Sequence, residues 1–286
     1  MYEKFFVAAM GNANGFGNRS IATLINFFGS AKLAWSAEIY DLIRAGIKPT
    51  PLQAFLEFRK KFPDAPDEVA DYCRKHKINL CSIFDEDYPS ILKDIDSPPL
   101  YFYYRGRLQP HAKRIGIVGS RHSTPYGAAT AVELGEQLAK TGFTIVSGAA
   151  RGIDTFAHRG ALTTGRTVAV LGYGLDYKCS KERGKFLAQI AERGVVLSEL
   201  NPQLAPTRGT FAIRNRIIAG LCQGVIVVEA CIKSGTMITA NYTAKYERDI
   251  FAVDSNSEGC VKLIRYGAIP INNASDVVNK YIAKRL

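Results

Sequence analysis

The stretch IGIVGSRHSTPYG (residues 115–127), followed by TIVSGAARGIDTFAH (144–158), decides the fold. Each begins as a run of apolar residues, turns at glycine and serine, and continues into helix-forming sequence. A strand that turns on glycine into a helix is the opening of a βαβ unit. The pattern recurs downstream in TVAVL (167–171), VVLS (195–198), VIVVE (225–229) and IFAV (250–253), with helices fitting between, for example over 126–140 and 182–192. The apolar runs are continuous rather than alternating, so the strands are buried on both faces. The expected fold is α/β: an extended Rossmann-like, doubly wound, mostly parallel sheet. Its ligands belong at the carboxyl ends of the strands, near a switch in strand order.

Upstream the pattern differs. Residues 1–70 read as a small all-helical domain: Ile21, Leu24, Ile25 and Phe28 recur at helical spacing, Gly15 and Gly17 precede that helix, and Gly29 ends it. A glycine hairpin before a helix resembles helix-hairpin-helix and SAM-like domains. Such modules can hold a DNA phosphate on helix amides, although protein contact or a purely structural role is as well supported here. Residues 71–110 form a bridge with short strands at NLCSIF and LYFYY. The expected division is 1–70 and 71–286.

The chain has 286 residues, 47% hydrophobic and 22% charged, which excludes a disordered or fibrous protein. No apolar run approaches the ~18–20 residues of a membrane span. The start, MYEKFFVAAMGNANG, is too short in apolar residues and too poor in basic ones for a secretory signal. A cytoplasmic protein, with no membrane partner, is expected. The six cysteines form no C-x-x-C pair and only four histidines exist, so no metal site and no disulfide framework is expected. The net charge is +11, unevenly spread: residues 1–70 carry 8 basic and 7 acidic groups, residues 71–286 carry 29 and 19. A basic surplus in one region points to an anionic partner, such as nucleic acid or anionic lipid.

The unusual residues sit at the strand ends. After the first strand, Gly119, Ser120, Arg121 and Ser123 form a tight turn that opens into a helix, presenting amides and a guanidinium to an anion. It is neither the G-x-G-x-x-G fingerprint nor a Walker loop. After the second come Ser147, Gly148 and Arg151; Asp154 and His158 follow, readable as a helix cap and a helix residue or as an acid/base pair. After the third come Gly172-Tyr173-Gly174, with Lys178 and Lys181 close behind. Arg214, Asn215 and Arg216 read as the start of an apolar helix, where two arginines make a second anion site. Successive helix residues point about 100° apart, so at most two of the three can face one ligand. After the fifth strand, Ser234, Gly235 and Thr236 repeat the small-residue turn at a helix start. Phe211 and Tyr173 are the candidates for stacking bases.

The segments GIVGSRHSTPYG, IVSGAARGIDTFAHRGAL, TVAVLGYGLD, VLSEL, FAIRNRIIAGL and VVEACIKSGTMITANYTA together resemble the DNA-processing protein A (DprA/Smf) family, in the family's order. Weaker likeness extends through DEDYPSILKDIDSPPLYFYYRG and VKLIRYGAIPI. The resemblance implies a SAM-like N-terminal domain and a Rossmann domain that binds single-stranded DNA and forms a homodimer. It also implies a role in natural transformation, protecting incoming DNA and helping load the RecA recombinase, with no cofactor and no enzymatic turnover. It makes Arg121 the principal phosphate-binding arginine, with Ser120, Ser123, Ser147 and Gly148 in the same pocket and Lys181 as a DNA-contacting lysine. Cys179-Ser180 stands where the family has Tyr-Pro, and Ala212-Ile213 where a proline is usual. The winged-helix domain of many members is expected to be absent. The rival class is an enzyme, a Rossmann-fold nucleotide phosphoribohydrolase with Glu229 as its catalytic carboxylate, although the Pro-Gly-Gly-x-Gly-Thr run of those enzymes is missing before Thr236.

Overall fold

The computed structural model describes residues 2–283. Residues 1 and 286, the outer bounds of the expected domains, lie outside the described residues. The chain divides into two compact units. The first takes in the described residues through Tyr88 together with Ser97–Tyr104, and the second takes in Pro89–Asp96 and the described residues from Arg105 onward.

In the first unit, six helices follow one another: α1 (Glu3–Gly11), α2 (Asn18–Phe28), α3 (Ala31–Ser36), α4 (Ile39–Arg44), α5 (Pro49–Lys61) and α6 (Ala65–Lys75). The face of α2 that the spacing selects, Ile21, Leu24 and Ile25, is buried. Gly29 ends α2 in the left-handed region, its amide donating to the Ile25 carbonyl at 2.7 Å. An aromatic cluster fills the centre: Phe16 stacks on Phe55 at 4.8 Å, and Trp35 meets the same ring edge-on at 5.7 Å. Strands β1 (Asn79–Ser82) and β2 (Tyr101–Gly106) pair antiparallel, with Asn79 opposite Tyr104.

The second unit begins with a short helix, α7 (Ser90–Lys93). Strands and helices then alternate: β3 (Arg114–Val118), α8 (Pro125–Lys140), β4 (Thr144–Ser147), α9 (Ile153–Thr164), β5 (Thr167–Val170), α10 (Lys181–Arg193), β6 (Val195–Ser198), α11 (Arg208–Leu221), β7 (Gly224–Val227), α12 (Gly235–Lys245), β8 (Asp249–Val253), α13 (Glu258–Arg265), β9 (Ile269–Ile271) and α14 (Ala274–Ala283). The strands lie in the order β6-β5-β4-β3-β7-β8-β9, all parallel where their register is resolved. Ile115 of β3 sits opposite Ile145 of β4 on one side and Gly224 of β7 on the other. The chain therefore builds outward from β3 to β6, returns through α11, and builds outward again on the other side. The order reverses between β3 and β7, which makes their carboxyl ends the switch point.

The strands β3 to β7 are buried along their whole length, as continuous apolar runs require. Ile115, Ile117, Ile145, Phe251 and Val253 form one core with Leu134, Leu138, Ala157 and Ala161 from α8 and α9. Those two helices meet at glycines. A side chain at Gly135 would run into the backbone of Ala157, and one at Gly160 into the backbone of Val132.

Candidate functional site

The loop after β3 is pinned on two sides. The Ser120 amide donates to the carbonyl of Glu229 beyond β7 at 2.8 Å, and the Ser120 carbonyl accepts the Ile153 amide at the start of α9 at 3.1 Å. Its hydroxyl takes the His122 amide at 3.1 Å. Gly119 admits this closure, because a Cβ there would lie 2.6 Å from the Ile153 side chain. The turn leaves Arg121 exposed, its guanidinium carbon 5.0 Å from the centre of the Phe211 ring. No carboxylate pairs with Arg121 among the described residues. Ser123 is half-buried in the same turn.

Glu229, beyond β7, ties the start of α8 to the switch point. Its carboxylate accepts from the amide of Thr124, at 3.0 Å, and from the Thr124 hydroxyl. Thr124 in turn caps α8 by accepting the Gly127 amide at 3.0 Å. Gly127 leaves room for the carboxylate, which a Cβ would meet at 2.5 Å.

The loop after β4 is held by a buried network. The Ser147 hydroxyl donates to the Ile117 carbonyl at 2.6 Å. The amides of Gly148 and Ala150 both donate to one oxygen of Asp154, each at 3.2 Å. Asp154 thus binds the loop that precedes α9 rather than the free amides of the helix, whose cap position is Gly152 at φ +84°. Ala149 between the two amides has φ +49°, a conformation that side-chain-bearing residues rarely adopt. Burial raises the Asp154 pKa, opposed by the nearby Arg214 charge and by the loop amides.

Arg214 completes this network from α11. The helix starts at Arg208, earlier than the sequence suggests, because Thr207 and Thr210 form a reciprocal capping box. Arg214, Asn215 and Arg216 therefore lie on its middle turns and are all buried, rather than at a helix start. Arg214 donates to the carbonyls of Gly148 (2.8 Å) and Val170, and its Nε to Asn215 Oδ1 at 3.2 Å. Burial lowers its pKa to about 10, with Asp154 acting in the opposite sense, so it stays charged at neutral pH. A Cβ on Gly148 would sit 2.5 Å from this guanidinium. Asn215 Nδ2 donates to the Gly235 carbonyl at 3.0 Å, tying α11 to the start of α12, while Arg216 pairs with Glu199 at 2.5 Å.

Phe211 lies one turn before Arg214. Its ring is half-buried, close to Gly172, and 5.9 Å from the Arg214 guanidinium carbon. The Thr210 hydroxyl bonds the Gly172 carbonyl at 2.7 Å, anchoring this helix end to the loop after β5. Arg121, Phe211, Arg214, Gly148 and Asp154 are thereby joined in one run of contacts across the ends of β3, β4 and β5.

The remaining expected residues stand around this run. Arg151 is exposed and donates to the His122 ring at 2.9 Å. Lys181 is exposed at the first position of α10, which Ser180 caps, and no hydrogen bond ties it to Arg121 or Phe211. Tyr173 is buried, its hydroxyl accepting from Arg183 at 3.1 Å, a contact the sequence did not single out. At the start of α12, Ser234 is half-buried, Gly235 exposed and Thr236 buried. His158 lies fully buried beside Phe186, its Nδ1 2.6 Å from the Thr167 hydroxyl. That hydroxyl already donates its proton to the Ile145 carbonyl, so Nδ1 carries the hydrogen and Nε2 is a bare buried nitrogen. Burial, then the charges of Arg183 and Arg214, push the His158 pKa down to about 3.

The DNA recombination-mediator protein A family matches residues 79–282. The DNA processing protein DprA of Bacillus subtilis is 36% identical over 229 residues, 77% of this chain and 77% of its own length. Protein Smf of Synechocystis is 45% identical over 195 residues, and the match spans 49% of that protein, about half its length. In three dimensions the chain is similar to DNA processing protein A of Streptococcus pneumoniae, with TM-score 0.85 and 31% identity over 98% of this chain and 97% of that one. It is also similar to DNA processing protein A of Helicobacter pylori, a structure that concerns single-stranded DNA binding, with TM-score 0.65 and 29% identity over 72% of this chain and 97% of that one. By sequence and by fold, the chain belongs to the DNA recombination-mediator protein A family, whose relatives are named DprA or Smf.

Proposed function

We propose that the rim at the carboxyl ends of β3, β4 and β5 binds the phosphate backbone of single-stranded DNA without turning it over. In this reading the chain protects the strand during transformation and recombination and passes it to a RecA-class recombinase. The observation that carries the reading is Arg121: an exposed guanidinium, without a carboxylate partner among the described residues, laid over a half-buried aromatic ring. A guanidinium so placed keeps its donors for a phosphate, and the ring offers a face to a base. The relative from Helicobacter pylori, studied for its single-stranded DNA binding, supports the ligand class. The family's description as a recombination mediator supports the recombinase as a partner.

The direct contacts in this reading come from Arg121, Ser120, Ser123, Arg151, Lys181 and the small-residue turn Ser234-Gly235-Thr236. Arg214, Asn215, Ser147 and Gly148 act from beneath, by fixing the loops. The chain works as a homodimer in the cytoplasm. Nothing favours the nucleotide-hydrolase reading, since the carboxylate of Glu229 is engaged by Thr124.

Titration of labelled oligo-dT by fluorescence anisotropy tests the proposal. Affinity should fall with salt by a log–log slope of about 0.7 per phosphate neutralised, and duplex of the same sequence should compete poorly. Equal affinity for duplex and single strand would leave only a generic basic surface and overturn the reading.

A further inference from the structure

The opposite end of the same sheet is also basic. Lys113 precedes β3 and Arg114 opens it, Arg166 precedes β5, and Arg193 closes α10 just before β6. Arg107 joins them, its amide donating to the Gly194 carbonyl at 3.1 Å. Arg107, Arg114 and Arg166 line one small recess there together with Gln109 and Thr144.

The acceptors these guanidiniums find are neutral. Arg166 donates to the Arg107 carbonyl at 2.8 Å, Arg193 to the Leu162 carbonyl at 2.6 Å, and buried Arg114 to the carbonyls of Pro110 and Gln109. Among the described residues, none of Arg107, Lys113, Arg114, Arg166 and Arg193 lies within ion-pair distance of a carboxylate. Arg193 has a local explanation, because a cation on the last carbonyls of α9 offsets the helix dipole. Arg107 and Lys113 have none: both are exposed and neither side chain has a hydrogen-bond partner among the described residues. Burial first, and then the neighbouring Arg107 charge, lower the Arg166 pKa.

We propose that this amino-terminal edge, presented by Arg107, Lys113, Arg166 and Arg193, is a second polyanion site that takes the phosphates of a second nucleic-acid strand. It lies at the far end of strands of four or five residues, roughly 15 Å from the rim at about 3.3 Å per residue. Its residues therefore lie outside the Arg121 pocket, at the other end of the sheet. The proposal does not depend on the rim reading, since its residues and contacts are separate.

The test uses the full chain with short oligo-dT in native mass spectrometry, and anisotropy with R121A as background. Excess oligonucleotide should give two strands per protomer. The double reversal R107E/K113E should give one, with the tighter affinity within twofold of the parent. In the R121A background, the remaining binding should lose about 1.4 of its log–log salt slope on R107A/K113A, two phosphate contacts at about 0.7 each. Thermal melts of the alanine pair should match the parent, which separates lost binding from lost folding. A single strand per protomer in the parent, or an unchanged second strand in the reversal, would overturn the proposal. So would binding to phosphatidylserine vesicles through these residues with no second strand.

Discussion

The guanidinium carbon of Arg121 lies 5.0 Å from the centre of the Phe211 ring. The ring thus supports a side chain that the turn after β3 leaves otherwise in solvent. Replacing Arg121 by alanine should weaken single-stranded DNA binding more than tenfold, since one charge-assisted hydrogen bond is worth roughly 1.5–3 kcal/mol. Arg121→Lys should recover only part of this, because an ammonium neither stacks on the ring nor forks to two phosphate oxygens. Anisotropy titrations measure both, and unchanged affinity in the alanine variant would sink the assignment.

Asp154 holds two loop amides and balances the buried charge of Arg214. Asp154→Asn removes the carboxylate charge that offsets that guanidinium from a distance and gives the two loop amides a weaker acceptor, a loss of roughly 1–3 kcal/mol. Urea denaturation should show the midpoint fall by that equivalent. The double variant Asp154→Asn with Arg214→Met should recover part of the loss, and strict additivity of the two changes would argue against coupling.

Gly160 faces the backbone of Val132 where α9 crosses α8. A methyl group there must push two helices apart, since backbone cannot rotate away. Gly160→Ala should cost about 1–3 kcal/mol by overpacking and lower the melting temperature, while the folded fraction keeps its DNA affinity. Gly235→Ala, where a Cβ meets nothing within 4 Å, is the control and should melt close to the parent.

His158 gives the fold a pH dependence with a definite sign. The folded imidazole takes its proton only near pH 3, whereas the unfolded one does so near 6.5. Between those values the unfolded chain binds the extra proton, so stability falls as pH drops, by up to about 1.4 kcal/mol per unit. His158→Asn keeps a donor for Thr167 and removes the titration. Urea midpoints from about pH 7 to about pH 5 should slope less in this variant, and identical slopes would assign the acid sensitivity elsewhere.

Much of the fold is legible in the sequence. Buried parallel strands are written as continuous apolar runs, so β3 to β8 stand where residues 115–118, 144–147, 167–171, 195–198, 225–229 and 250–253 indicate. The edge strand β9 escapes notice because it is three residues long and contains Pro270. The order of strands escapes too, since apolar runs do not record their neighbours. At the site, the small residues around Arg121 mark the turn, yet the roles of the residues beneath it emerge only in three dimensions. Arg214 reads as a free cation until the capping box of Thr207 and Thr210 places it one turn deeper, against Gly148. The signal was a Thr-x-x-Thr spacing, one residue type away from the usual box with Glu or Gln. Asp154 reads as a helix cap until the loop before it is seen to fold back.

Glu229 has a consequence for what this fold can hold. Open α/β sheets take their ligands at the switch point, here between β3 and β7, and the anion at that crevice is supplied by the chain itself. A phosphate arriving from solution must displace a tethered carboxylate, whose local concentration dilution does not lower. A lone nucleotide, gripping by one phosphate, competes poorly on those terms. A polymer that settles phosphates on several strand ends at once does not depend on displacing that one carboxylate. The chain has in effect plugged the socket of its own fold, and the proposed preference for a strand over a monomer would follow from the plug.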